Sequence, residues 1–123
     1  MAEWIAAGEH FVEADVIRWQ ERVYQTRRRG RSKAAKIGER RVVAEVLRDV
    51  DGWVCLLIRH CELMSVETGR LMRIVPLLEP GTEVKRKRQT IVNGKVERLQ
   101  WTDENVRSVI VSKFLGRGAT DDE

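Results

Sequence analysis

The sequence is short of the residues that usually announce a reaction: 123 positions hold two histidines, two cysteines and one tyrosine. His60 and Cys61 are neighbours in the most apolar run, and adjacent strand residues diverge, so they do not read as a base and nucleophile. His10 stands alone near the N-terminus. The even spacing of Cys55 and Cys61 predicts one shared strand face, and no CxxC pair accompanies them. Reduced thiols are the expectation, with no metal and no other cofactor. Ser32 and Lys33 lack the glycine pattern of a nucleotide-binding loop. Asp49 and Asp51 flank a turn, and Asp103 and Glu104 stand where a helix start favours acids, so neither pair reads as a catalytic centre. The expectation is a protein that is not an enzyme.

Long apolar runs are missing as well. None approaches the roughly 20 residues that span a bilayer as a helix. The opening M-A-E-W-I-A-A-G-E has neither a basic leader nor an apolar core, so a cytoplasmic chain without a membrane partner is expected. Proline occurs twice, at Pro76 and Pro80; Pro76 cannot donate to a strand ladder, so a strand over residues 70–78 must end there or lie at an edge.

What is present fits one folded domain. Hydrophobic residues make up 42% and charged residues 34%, and four tryptophans favour burial over disorder. Alternation over residues 11–24 puts Ile17, Trp19 and Val23 on one strand face and Arg18, Gln20 and Arg22 on the other, with the strand starting near Val16. Residues 39–48 and 53–64 predict two more strands around the turn D-V-D-G, where Gly52 takes a positive φ. Asn93-Gly94 between β-favouring runs predicts a two-residue hairpin over residues 83–101, with Arg86 opposite Trp101. After Trp101 the period changes: Thr102 as N-cap, then Val106, Val109, Ile110 and Phe114, predicts a helix that Gly116 closes.

The expected fold is therefore mostly β, a small, strongly bent antiparallel sheet or partly closed barrel, SH3-like or OB-like, with a C-terminal helix. Residues 1–10 are expected to be flexible or a short helix, 11–116 a single β-rich domain with a basic loop over 25–36, and 117–123 a flexible acidic tail.

Charge is unevenly spread. Residues 16–41 hold ten Arg or Lys against two acids, and residues 83–98 hold six against two, while the rest of the chain is net acidic. In the first segment the cationic candidates are Arg18, Arg22, Arg27, Arg28, Arg29, Arg31, Lys33, Lys36, Arg40 and Arg41. In the second they are Lys85, Arg86, Lys87, Arg88 and Arg98. If the fold brings the segments together they form one cationic face for phosphates, with Tyr24 as a stacking residue and Trp19 in the core. The expected function is non-catalytic binding of DNA or RNA through the basic loop and hairpin. The alternative is a regulatory or adaptor module that binds an acidic protein or another partner at a sheet edge or apolar groove. Self-association into a homo-oligomer through Leu63, Met64, Leu71 and Met72 belongs to that second reading.

Overall fold

A computed structural model describes residues 3–24, 36–66 and 75–121, with side chains described as far as Lys113. In chain order the elements are β1 (Trp4–Ala6), β2 (Val16–Tyr24), β3 (Lys36–Val50), β4 (Trp53–Val66), β5 (Glu83–Lys87), α1 (Arg88–Asn93), β6 (Glu97–Leu99) and α2 (Glu104–Asp121). All strand pairs are antiparallel, and the six strands form one sheet in the order β1-β6-β2-β3-β4-β5. The sheet is mostly a meander that is not closed into a barrel, and β1 and β5 are its edges. Among the described residues no helix is long and apolar enough to cross a membrane.

The period of two in β2 works as the sequence predicts: Ile17, Trp19 and Val23 are buried while Arg22 and Tyr24 are exposed. Ile17 and Trp19 join Val42, Ala44 and Val46 of β3, Val54, Leu56, Ile58 and Cys61 of β4, and Phe11, Ile91 and Val96, while Val23 packs in a second, smaller cluster with Ile37 and Val75. Burying these side chains removes apolar surface from water at roughly 25 cal/mol per Å² and supplies the main drive for folding. Asp51 and Gly52 both take positive φ, 54° and 79°, so β3 and β4 meet in a two-residue turn of the primed kind between Val50 and Trp53.

Three register shifts interrupt the β3–β4 ladder, between Glu39 and Arg40, Val43 and Ala44, and Val46 and Arg48. The middle shift sets Val43 against His60 and Ala44 against Ile58, leaving Arg59 as the extra residue on β4. An extra residue reverses the alternation beyond it. Cys61 is therefore buried with Ile58, whereas Cys55 lies on the other face between buried Val54 and Leu56. The expected shared face of the two cysteines is corrected by this bulge.

The expected hairpin at Asn93-Gly94 does not form. Residues 88–93 make helix α1, and β5 and β6 sit far apart in the sheet, β5 on β4 and β6 between β1 and β2. Gly94 caps α1 and passes so close to β2 that its carbonyl accepts a hydrogen bond from Gln20 N at 2.8 Å. A Cβ on Gly94 would stand 2.3 Å from the Gln20 carbonyl oxygen. Glycine is required there for close approach to a neighbouring backbone, and a hairpin turn would have demanded the same residue.

Three further expectations change at the ends and in the middle. Trp4–Ala6 are a strand paired with β6 rather than a helical turn, because Glu97–Leu99 offers an unpaired edge. Of the expected strand over residues 70–78, residues 70–74 lie outside the described residues, and Val75–Leu78 are not in a strand. The helix continues past Gly116 to Asp121, and its N-cap is Asp103, whose Oδ1 accepts from Asn105 N and Val106 N, rather than Thr102.

α2 is fixed at its start. Asp15 is fully buried and accepts from Trp101 Nε1 at 2.6 Å and from Arg107 Nε and Nη2 at 3.1 and 2.8 Å. Arg98 makes a two-pronged pair with Glu104 in the first turn of α2. The apolar Val106 and Val109 of α2 are exposed.

Candidate nucleic-acid interface

The two basic segments do meet, and a carboxylate sits at their junction. Glu21, on β2, points inward with Trp19 and is buried. Its Oε1 accepts from Arg86 Nε at 2.5 Å and from Trp19 Nε1 at 3.1 Å. Its Oε2 accepts from Arg40 Nε at 3.0 Å. Burial pushes the Glu21 carboxyl up, but the hydrogen bond and charge of Arg86, the charge of Arg40 and the Trp19 donor together hold it below the usual carboxylate range.

Around this junction opens a cleft of about 570 Å³ lined by Gln20, Glu21, Arg22, Tyr24, Arg40, Arg86, Thr90, Asn93 and Gly94. Arg40 is committed: Nε and Nη2 face Glu21, and Nη1 donates to the Pro76 carbonyl. Arg86 gives Nε to Glu21 and Nη1 to the Lys85 carbonyl, which leaves Nη2. Arg22 is exposed and has no ion pair among the described residues. The lining thus holds three guanidiniums against one carboxylate, a local excess of positive charge beside an exposed Tyr24. Tyr24 pairs with Lys36 across β2 and β3, so the connection carrying Arg27, Arg28, Arg29, Arg31 and Lys33 leaves and returns at this end of the sheet. Those five residues lie outside the described residues.

Most of the other expected contacts are engaged within the protein. Arg18 pairs with Glu97 at 2.9 Å and lies 4.3 Å from the Trp4 ring centroid. Arg41 pairs with Glu62, Lys36 with Glu39, and Arg98 with Glu104. Arg88 grips buried Asp49 with Nε and Nη2, and the Asp49 hydrogen bond raises the Arg88 pKa further above its ordinary value. Arg86 is not against Trp101, because the register that would have paired them belonged to the hairpin that α1 replaces. A single continuous face made of all these cations is therefore corrected to a cleft with a smaller surplus.

Lys85 and Lys87 point away from the cleft, onto the outer face, since they alternate with Arg86 along β5. There they meet Arg48 and Trp53, which belong to neither basic segment. Cys55 stands opposite both Arg48 and Lys85, and Trp53 stands opposite both Val50 and Lys87, which makes two adjacent rows across β3, β4 and β5. Lys87 Nζ lies 5.6 Å from the Trp53 ring centroid. No local sequence signal marks this group, because the Val46/Arg48 shift is what turns Arg48 outward.

Among the described residues, no three His, Cys, Asp or Glu side chains are grouped to hold a metal ion. Compared with known protein families, curated proteins and solved structures, the chain matches none.

Proposed function

We propose that this protein is a non-catalytic nucleic-acid-binding module that holds DNA or RNA mainly by its phosphates. The reading rests on one observation. Two basic segments distant in sequence converge on one buried carboxylate and leave Arg22, the Arg86 Nη2 that has no partner among the described residues, and exposed Tyr24 around an open cleft. The basic connection to Lys36 begins after Tyr24, which lines that cleft. Glu21 is already shared by two guanidiniums, so it offers little repulsion to an incoming phosphate. Arginine donors in pairs suit phosphate oxygens, and binding releases counterions.

The chain path supports an SH3-like reading of the architecture. A meander of β2 to β5 is followed by one short helix and a strand that returns to pair with β2. In this reading the protein works in the cytoplasm, with Cys55 and Cys61 as thiols.

Titrating labelled single-stranded DNA, duplex DNA and RNA into the whole protein at two salt concentrations tests the reading. Binding that weakens steeply with salt supports it, and absence of binding to all three polymers overturns it. In that second case the exposed Leu63, Met64 and Val66 at the far end of β4 favour a protein partner, or a second copy, instead.

A further inference from the structure

We infer that the outer face of β3, β4 and β5 is a stacking platform for single-stranded nucleic acid, with Trp53 as the ring on which a base lies. The inference rests on the nucleic-acid reading above but uses a different surface.

Trp53 is 43% exposed and its neighbour Val50 56% exposed, although a large aromatic side chain ordinarily gains by burial. The ring lines two depressions. One, of about 600 Å³, is bordered by Arg48, Val50, Asp51, Trp53, Cys55 and Lys85. The other, of about 400 Å³, includes Trp53 together with Lys87 and Arg88. Lys87 lines the second of these and its Nζ is 5.6 Å from the indole centroid, so the base is placed in the larger depression, which Lys87 does not line.

Charge selects the occupant. The side chains of Arg48, Lys85 and Lys87 are exposed and make no ion pair among the described residues, in contrast to Arg18, Arg40, Arg41, Arg86, Arg88 and Arg98. Asp51 is the one acid lining the larger depression, against Arg48 and Lys85. Antiparallel pairing holds these cations in register beside the ring: Lys87 is directly opposite Trp53, and Arg48 and Lys85 are in the next outward row. Directly opposed residues have Cβ atoms about 5 Å apart and outward rows are spaced by roughly 7 Å, so phosphates on either side of a stacked base fall within reach. A duplex hides the faces of its bases, whereas a single strand presents them, and stacking tolerates any base and either sugar.

The test compares fluorescent oligo-dT, oligo-U and a duplex of equal length, using the whole chain, Trp53→Ala, Trp53→Phe and the triple variant Arg48→Ala/Lys85→Ala/Lys87→Ala. The inference predicts that single strands bind more tightly than duplex, with dT and U within a few-fold of each other. It predicts roughly a tenfold loss on Trp53→Ala, most of it recovered in Trp53→Phe, which keeps a ring. The triple variant reduces both affinity and its salt dependence. Quenching of tryptophan emission by oligo-dT, present in the whole chain and diminished in Trp53→Phe, gives a second readout that does not depend on the alanine variant folding. Trp53→Ala binding single strands as well as the whole chain does, or duplex binding as tightly as single strands, overturns the platform while leaving phosphate binding at the cleft intact. A wild-type chain that binds no polymer overturns both.

Discussion

Arg86 of β5 donates to Glu21 of β2 across 2.5 Å, although β3 and β4 lie between their strands in the sheet. In a flat sheet three strand spacings would separate the two by about 14 Å, more than these two side chains bridge while standing upright. The sheet must therefore curl toward its apolar face, and the ion pair is a consequence of that curl as much as a support for it. α1 and Gly94 complete the same bend by returning the chain to β2.

Glu21 answers two guanidiniums in this arrangement. Glu21→Gln leaves Arg40 and Arg86 partly buried without their counter-charge, and a loss of about 3 kcal/mol in chemical denaturation is expected. Because the Glu21 pKa is depressed in the folded protein, its contribution is complete above the ordinary carboxylate pKa and is lost as pH falls through the lower folded value. Glu104, depressed by its Arg98 hydrogen bond, acts in the same direction. The wild-type midpoint should fall progressively below about pH 4.3, and Glu21→Gln should show a shallower fall over that range.

Asp15 decides whether α2 stays attached. Asp15→Asn removes the charge that Arg107 answers, in a site fully shielded from water, and about 3 kcal/mol of stability should go with it. Hydrogen exchange should report faster opening of residues 104–113 than of β3 and β4. A double-mutant cycle of Asp15→Asn with Arg107→Met should return a clear coupling energy, because the two groups touch directly.

Two glycines should respond to alanine for different reasons. At Gly94 the new Cβ meets the Gln20 backbone, and relief requires α1 to move off β2, so a cost of about 2 kcal/mol or more is expected. At Gly52 a Cβ meets open space, and only the left-handed φ of 79° penalises it, at about 1 kcal/mol. Thermal or denaturant midpoints of the two variants should keep that order.

The sequence carries the parts of the fold that local physics decides. Alternation in Ile17, Trp19 and Val23 marks β2, the Asp51-Gly52 pair marks the β3–β4 turn, and Val106 to Ile110 marks α2. Asn93-Gly94 misled because glycine answers two different demands, a primed turn and close approach to a backbone, with the same letter. Cys61 changed face because a bulge at Arg59 has no reliable local signature. The site suffered most, since the acids that neutralise Arg86, Arg88 and Arg18 lie far away in the chain, at Glu21, Asp49 and Glu97. A run of lysines and arginines shows where charge is concentrated; only tertiary pairing shows how much of it is still unanswered.

If the unanswered charge binds phosphates, affinity must depend on salt. The measurement is the dissociation constant of a labelled single strand across a salt series, for the whole chain and for Arg27, Arg28, Arg29 and Arg31 replaced together by Ala. Log affinity should fall linearly with log salt, with a slope smaller in the variant by roughly 0.7 for each phosphate contact removed. An affinity independent of salt, or identical slopes for the two proteins, would contradict it.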